Sequence, residues 1–315
     1  MDERRNKVIK RTQVLKRGEI IPLTYDFVFN EIFANEKNIN ILENFISNIL
    51  NLNIEEVRGS LHIKPRDLEL NNKSERNKQI DLLLEYHGDL INIELNNNSG
   101  EGIKERNLVY ACSVHASQLE YGDNSYKKIN KTIQINLNTK PNSTGLLIDK
   151  YNLKNEYNKT YSDKLVIYMI DISLGVDMCY NGTSDKLAKW CYVLTSQTED
   201  ELGKYLGDIM NEKEQNQLVD EMNKLSSNEK VIALYSAYSR EELERNTLII
   251  EAEEKGIEKG IEQGIEQGRQ EGIEQGREEE KEEMIRKLYE KGLPIKEISE
   301  IVNKTEEEIE NILNS

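Results

Sequence analysis

The chain has 315 residues and a formal net charge of −16, from 42 basic and 58 acidic side chains. Hydrophobic residues make up 37% and charged residues 32%, which is typical of a polar chain that can still fold. No apolar run approaches the ~18 residues that a membrane helix needs, and we expect no signal peptide, because the first 17 residues lack an apolar segment. The three cysteines form no close pair, which excludes a disulfide scaffold and a cysteine zinc site and predicts a cytoplasmic protein.

The negative charge is concentrated towards the end of the sequence. Residues 251–283 contain 13 acidic and 5 basic side chains, and residues 284–315 contain 7 acidic and 5 basic ones, so the first 250 residues carry only −6. A strongly acidic protein normally repels nucleic acid. Because most of this acidity belongs to the last segments, the rest of the chain is compatible with a DNA partner.

Helical and strand-like patterns alternate along the first part of the chain. Thr24 is a suitable N-cap for a helix over residues 25–34, and residues 37–50 place apolar side chains on one face of a second helix. Residues 54–70 alternate loosely between apolar and polar side chains, which predicts a strand, and a polar turn follows over 71–77.

The most informative stretch is a predicted β-hairpin. Two strand-like runs, residues 80–87 and 90–96, flank a Gly-Asp dipeptide that suits a two-residue turn. Alternation of side chains then places apolar residues on one face. It places Asp81 and Glu94 on the other face as diagonal neighbours, with Cα atoms roughly 7–8 Å apart. Their carboxylates are able to converge on one ion, unless a longer loop with a bulge breaks this parity.

The sequence beyond the hairpin continues the mixed pattern. A helix is predicted over 103–120, strands over 132–138 and 165–173, a further helix over 184–195, and helices throughout 199–250. This alternation of helices and strands predicts a mixed α/β layer architecture.

From residue 256 the sequence repeats with a period of four. Glycine occupies every fourth position, and isoleucine follows most of these glycines, namely Gly256, Gly260, Gly264, Gly268, Gly272 and Gly276 with Ile257, Ile261, Ile265 and Ile273. Each glycine costs an isolated helix about 1 kcal/mol relative to alanine, and a period of four favours right-handed wrapping around a partner. Residues 251–283 are therefore either a flexible acidic linker or an oligomerising helical stalk.

The last segment, residues 284–315, predicts three short helices. Gly292 is a stop signal, and Thr305 with Glu308 forms a capping box. The arrangement resembles a helix-turn-helix, but its third helix carries four glutamates and no arginine or lysine. Because a recognition helix faces phosphates, this charge favours packing against protein over reading of DNA.

Five segments resemble, in their order, one known family: LTYDFVFNEIF, QIDLLLEYHGDLINIELN, ERNLVYACSVHASQLEYGDNSYKKINKTIQINL, LAKWCYVLT and the glycine-period tail. This is the recombination-promoting nuclease, transposase-like family of the PD-(D/E)XK nuclease superfamily. The resemblance extends over essentially the whole chain. It implies a restriction-endonuclease-like α/β core, with a mixed central sheet flanked by helices, and a helical C-terminal tail. We therefore predict a nuclease-like domain with a helical extension over 1–250, a glycine-period segment over 251–283 and a small helical segment over 284–315.

The resemblance also implies roles for single residues. Asp81 matches the superfamily's metal-binding aspartate, and Glu94 matches the acid of its Glu-x-Lys segment, so both are predicted metal ligands and catalytic residues. Asp26 matches an acid of the early helix and is a further predicted catalytic residue. Arg106 and Tyr110 match the arginine and tyrosine of the following helix, and Arg106 is predicted to bind DNA.

Two positions depart from the pattern of the family. Asn96 stands where the superfamily has lysine and this family usually has glutamine, and Asn30 stands where this family usually has lysine. Both changes remove or shorten a hydrogen-bond donor. Asn96 remains a predicted catalytic residue that orients water.

The resulting functional prediction is a metal-dependent DNA endonuclease that uses Mg²⁺ or Mn²⁺. Its predicted partners are DNA and, through the tail, further copies of the chain. Two alternatives stay open: a catalytically weak or inactive nuclease-fold protein that binds DNA or drives assembly, and a transposition accessory protein.

Overall fold

The computed structural model describes residues 15–65, 80–97, 102–119, 125–142 and 144–314. The chain divides into two compact units, the first ending at Ala237 and the second beginning at Tyr238. The domain boundaries predicted from the sequence, after residues 250 and 283, stay predictions.

Two helices and one helical turn precede the sheet. Helix α1 (Asp26–Phe33) follows Tyr25, so the predicted cap Thr24 lies one residue too early. Helix α2 spans Ile39–Leu50, as expected. The strand predicted within 54–70 is wrong in its first part, because Ile54–Val57 forms helix α3. The Asn53 side chain caps this turn by accepting a hydrogen bond from the Glu55 backbone. Residues 66–70 and the polar turn predicted over 71–77 lie outside the described residues.

Six strands form one mixed sheet in the part of the chain that the structure describes, in the order β1-β2-β3-β4-β6-β5. Their bounds are Leu61–Lys64 (β1), Leu82–Tyr86 (β2), Asp89–Asn96 (β3), Thr132–Asn138 (β4), Ile148–Lys154 (β5) and Thr160–Asp171 (β6). The pairs β3–β4 and β4–β6 are parallel, and the remaining pairs are antiparallel. The sheet confirms the predicted mixed α/β fold. The sequence reading missed β5, an edge strand whose polar, half-exposed side chains give no apolar alternation.

The hairpin turns one residue earlier than predicted. His87 and Gly88 occupy the loop with φ angles of 50° and 87°, a conformation that glycine adopts without strain and that suits a tight hairpin. Leu82 therefore pairs with Ile93. Moving the turn by one residue changes the cross-strand partner of each residue by two positions. Because side chains alternate with a period of two, each side chain stays on its predicted face. If the pairing is extended by one residue beyond Leu82 and Ile93, Asp81 lies directly opposite Glu94 instead of diagonal to it.

Helices cover both faces of the sheet. Helix α4 (Ile103–Ala116) packs on β3, β4 and β6. The opposite face joins the main apolar core, in which Phe45 lies between Phe33 and Trp190 with ring centroids 5.1 and 4.9 Å apart. Strand β6 ends at Asp171 because the Asp171 side chain caps helix α5 (Ile172–Tyr180), so the strand predicted over 165–173 runs two residues too far.

The remaining helices complete the two units. They are α6 (Lys186–Thr195), α7 (Glu199–Ile209), α8 (Glu212–Ser226), α9 (Glu229–Glu290), α10 (Ile295–Val302) and α11 (Glu306–Asn314). The 62 residues of α9 include the whole glycine-period segment. Ile285, Ile298 and Ile309 form a small buried core that joins the end of α9 to α10 and α11. None of the described helices is long and apolar enough to cross a membrane.

Candidate active site

The hairpin brings two carboxylates together on the side of the sheet that α4 covers. Asp81 immediately precedes β2, and its Oδ2 accepts a hydrogen bond of 2.8 Å from the backbone N–H of Leu95. Glu94 lies on β3, one residue before Leu95, and is only 3% exposed. The backbone of β3 therefore fixes Asp81 beside the residue with which it is expected to act.

The buried position of Glu94 opposes its ionisation. Burial and the nearby charge of Asp81 raise the pKa of Glu94 to about 8, against the lowering effects of a hydrogen bond from Asn92 and the charge of Arg106. The Asn92 amide donates to Glu94 Oε1 at 3.2 Å. Without a neighbouring cation, Glu94 is thus largely protonated near neutral pH.

Helix α1 adds a third acid. Asp26 lies in the first turn of α1, where the helix dipole favours a carboxylate. Burial and the charge of Asp81 nevertheless raise the pKa of Asp26 to about 6, and Arg106 has the opposite effect. Within the described residues, Asp26 Oδ1 is buried without a hydrogen-bond donor, and so is Asn30 Oδ1 one turn later. This part of the site therefore has acceptors in excess of donors.

Helix α4 supplies the basic group. Arg106 donates a hydrogen bond to Asn96 Oδ1, and its guanidinium carbon lies 6.0 Å from the centre of the Tyr110 ring. The Asn96 amide nitrogen donates to Asn138 Oδ1 at 2.9 Å. Because arginine can only donate hydrogen bonds, this pairing fixes which end of the Asn96 amide faces each neighbour. The structure thus connects Arg106 to Asn96, a contact that the sequence reading did not anticipate.

Further buried amides adjoin the site, and sequence reasoning missed them. In the parallel pairing of β3 and β4, Asn92 lies beside Gln134, Glu94 beside Asn136, and Asn96 beside Asn138. The signal was present, because the segment TIQINLN places a polar amide at every second position of an otherwise apolar strand. A strand with polar residues on one face normally turns that face to water. Here α4 covers it, and Gln134 and Asn136 have no exposed surface.

The donor set fits a small hard cation bound by few protein ligands. Among the described residues, no group of three or more histidine, cysteine, aspartate or glutamate side chains is arranged to hold a metal ion. Mg²⁺ commonly binds one or two carboxylates and completes its shell with water and phosphate oxygens. The facing acids Asp81 and Glu94, whose mutual repulsion a cation relieves, suit this mode.

Comparison with known proteins decides the family. Residues 23–252 match the family model of the PD-(D/E)XK nuclease family transposases. The chain belongs to this family. The match confirms the resemblance expected from the sequence, and the mixed sheet flanked by helices agrees with a restriction-endonuclease-like fold. No curated protein and no solved structure matches the chain significantly.

The region that matches the family model contains every residue of the candidate site. It begins just before α1 and ends within α9, so it includes Asp26, the hairpin, Arg106 and the whole sheet. Residues 253–315, with the whole glycine repeat and the small C-terminal core, lie beyond it. The nuclease fold and the glycine-period helix are thus separate features of the chain.

Proposed function

We propose that the protein is a metal-dependent DNA endonuclease of the recombination-promoting type, which hydrolyses phosphodiester bonds. Its membership of a nuclease and transposase family gives the general class. The observation that supports the specific activity is the position of Asp81, whose charge raises the pKa of both Asp26 and Glu94. An acid that opposes the ionisation of two others beside an arginine is typical of a site that handles a cation and a phosphate.

The residues divide the chemistry between them. Asp81 and Glu94 would hold Mg²⁺ or Mn²⁺, and Asp26 would contact it directly or through water. When bound, such an ion polarises a phosphoryl oxygen and lowers the pKa of the attacking water. The second amide hydrogen of Asn96 is available to orient a water or a phosphate oxygen. Arg106, exposed on α4, would contact the DNA phosphate.

DNA and a second copy of the chain are the proposed partners. The first 250 residues carry only −6 of the total charge, which lowers the barrier to DNA binding. The glycine and isoleucine stripe of α9 is exposed, and Ile257, Ile261 and Ile265 are each more than half accessible. This apolar stripe supports self-association through the tail. The three free cysteines support a cytoplasmic location.

The test is nicking of supercoiled plasmid by purified protein. We expect conversion to open circles with Mg²⁺ or Mn²⁺ and none with EDTA. Asp81→Asn keeps the size of the side chain but removes one of the charges that hold the cation. Cleavage should therefore fall by about 10³-fold, since several kcal/mol of transition-state stabilisation are lost. DNA affinity should persist or improve, because repulsion between a carboxylate and phosphate is removed.

Glu94→Gln should behave like Asp81→Asn, whereas Asp149→Asn on the edge strand β5 is a matched control that should leave nicking unchanged. Equal nicking by Asp81→Asn and the parent, with contaminating nuclease excluded, would show that the metal site is assigned wrongly.

A second candidate function is a DNA-binding or assembly protein with little catalytic activity. The observation that favours it is the environment of Asn96, which stands in place of the superfamily's lysine. Its oxygen accepts from Arg106, and its nitrogen donates to Asn138. Normal Mn²⁺ affinity and DNA binding without plasmid nicking would support this alternative.

A further inference from the structure

A row of amide side chains crosses the sheet from β3 to β6 on the same face as the candidate site. Asn92 donates to Gln134 Oε1 at 2.8 Å, and Gln134 donates to Asn136 Oδ1 at 2.9 Å. Asn136 then donates to the backbone oxygen of Tyr168 at 3.2 Å. All three amide side chains are completely buried, so water does not compete for these hydrogen bonds.

The backbone oxygen at the far end fixes the direction of the whole row. A carbonyl oxygen can only accept, so the nitrogen of Asn136 must face Tyr168 and the oxygen of Asn136 must face Gln134. By the same rule, Gln134 turns its nitrogen to Asn136 and its oxygen to Asn92. Asn92 must therefore present its nitrogen towards both Gln134 and Glu94.

Within the described residues, the Asn92 amide forms its hydrogen bonds through its nitrogen alone. Asn92 Oδ1 is buried and has no donor among the described residues. Among the described residues, only the longer hydrogen bond of 3.2 Å to Glu94 Oε1 would hold the Asn92 amide if Gln134 were absent. The bond from Asn92 to Gln134 holds the amide with an N–H at Glu94 Oε1. An N–H at this position donates to the carboxylate and holds it in one orientation, as a hydrogen-bonded neighbour does for a metal ligand.

We propose that Gln134 is a positioning residue for the carboxylate of Glu94, acting through Asn92 across two strands of the sheet. The inference rests on the proposed function, because it assigns Gln134 to the cation-binding role of Glu94. Gln134 itself contacts neither DNA nor the cation. It acts by keeping Asn92 in the orientation that donates, and the neighbouring Asn136 keeps Gln134 in place in turn.

The test measures Mn²⁺ affinity by electron paramagnetic resonance on the full chain without DNA. Gln134→Met keeps the length of the side chain but removes both of its hydrogen bonds. Mn²⁺ affinity should fall by about tenfold, which is typical when a hydrogen-bonded partner of a metal ligand is lost. Plasmid nicking should fall at subsaturating Mn²⁺ and recover partly at high Mn²⁺, while the Kd for DNA stays unchanged.

A double variant separates positioning from stability. Gln134→Met alone leaves Asn136 Oδ1 buried and unpaired, which lowers the free energy of unfolding. Adding Asn136→Leu removes that unpaired group, so the urea midpoint should move back towards the parent. Mn²⁺ affinity should stay low, because Asn92 still lacks its acceptor. Recovery of both properties in the double variant would overturn the proposal, since packing alone would then explain the single variant.

A buried amide in the main core is the matched control. Asn44 donates to the backbone oxygen of Ile209 at 2.8 Å and accepts from Trp190 at 3.1 Å, and both partners belong to the main core. Asn44→Leu should lower the urea midpoint and leave Mn²⁺ affinity unchanged.

Asp81→Asn provides the reference for the proposed function. If Asp81→Asn loses Mn²⁺ affinity but Gln134→Met does not, the positioning role is wrong and the metal site stands. If Asp81→Asn binds Mn²⁺ as the parent does, the proposed site itself fails, and the role of Gln134 fails with it.

Discussion

Glu94 is the residue at which the requirements of folding and of the proposed chemistry conflict. Its ordinary pKa of 4.5 rises to about 8 because the carboxyl is buried and lies near Asp81. A buried acid of this kind is costly when ionised. Strongly shifted pKa values of buried acids are concentrated at functional sites of proteins. The raised pKa of Glu94 therefore supports a site that binds a cation.

The first prediction concerns the pH dependence of stability. Between pH 4.5 and pH 8 the folded protein keeps the Glu94 proton while the unfolded chain loses it, so the free energy of unfolding should decrease as pH rises through this window. Glu94→Gln removes this titration. The variant should match the parent near pH 4 and exceed it at pH 8 by a few kcal/mol, that is about 1.4 kcal/mol per unit of pKa shift at most. Urea unfolding at both pH values, without divalent cations, measures the difference.

Glu85→Gln is a control of opposite sign. The ion pair with Lys64 lowers the pKa of Glu85. Ionised Glu85 therefore stabilises the folded protein above its ordinary pKa and loses this contribution as pH falls. Glu85→Gln should be less stable than the parent at pH 8, and a stability gain equal to that of Glu94→Gln would contradict the burial argument.

The second prediction concerns Asn96. Asn96→Lys restores the donor that the superfamily usually has and removes the oxygen that accepts from Arg106, so Arg106 becomes available to phosphate. We expect nicking to be retained or raised by up to about tenfold. Asn96→Leu removes donor and acceptor together and should lower the rate. Initial nicking rates over a Mg²⁺ titration give the comparison, and a lysine variant slower than the leucine variant would argue against a role for a donor here.

At the scale of elements, the sequence predicted the order of helices and strands better than their ends. The hairpin faces were predicted correctly because alternation survives a shift of two residues, although the turn itself was misplaced by one. His87 gave only a weak indication of the turn, since few residues other than glycine adopt a positive φ, although histidine does so more often than most. The sequence was thus sufficient to predict that Asp81 and Glu94 lie close together on one face of the hairpin. The burial of Gln134 and Asn136 could not be predicted, because it depends on α4 returning over a polar strand face.

The third prediction tests the close contact of α5 with α6. A Cβ added at Gly175 would lie 2.6 Å from the Cβ of Cys191, so the two helices have to move apart. Gly175→Ala should lower the free energy of unfolding by about 1–3 kcal/mol.

Gly203 in α7 is the matched control, because nothing lies within 4 Å of an added Cβ there. Gly203→Ala should raise stability by about 0.5–1 kcal/mol through helix propensity. Similar effects of both variants in urea unfolding would contradict the packing argument.

At the scale of the whole molecule, most of the net negative charge lies outside the region that matches the nuclease family. The family match ends at residue 252, and the segments after residue 250 hold −10 of the net charge of −16. The long helix α9 is exposed along its glycine repeat, and a Cβ added at any of those glycines would meet nothing within 4 Å. The repeat therefore contributes little to the packing of the described part of its own chain, which is consistent with the proposed self-association.

The fourth prediction is that the tail does not provide the DNA-binding surface. Removing residues 251–315 takes away net negative charge and leaves Arg106 and the basic residues near the N-terminus in place. Duplex affinity at low salt should therefore be equal or higher in the shortened chain, and fluorescence anisotropy over a salt series measures it. A large loss of affinity, beyond what a change in oligomeric state explains, would show that α10 and α11 bind DNA after all.

The fifth prediction concerns self-association through α9. Six glycines cost an isolated helix about 6 kcal/mol relative to alanine, and close packing against a second copy is the compensation that the exposed stripe allows. Removing residues 251–315 should lower the mass measured by light scattering. Ile261→Glu with Ile265→Glu in the full chain should have the same effect, because both side chains are more than half exposed and their loss disturbs no buried contact.

The control is Glu258→Gln with Glu262→Gln. It keeps the apolar stripe and removes two like charges, so it should preserve or strengthen association. If the truncated chain and the isoleucine variant both keep the mass of the parent, α9 is not the interface.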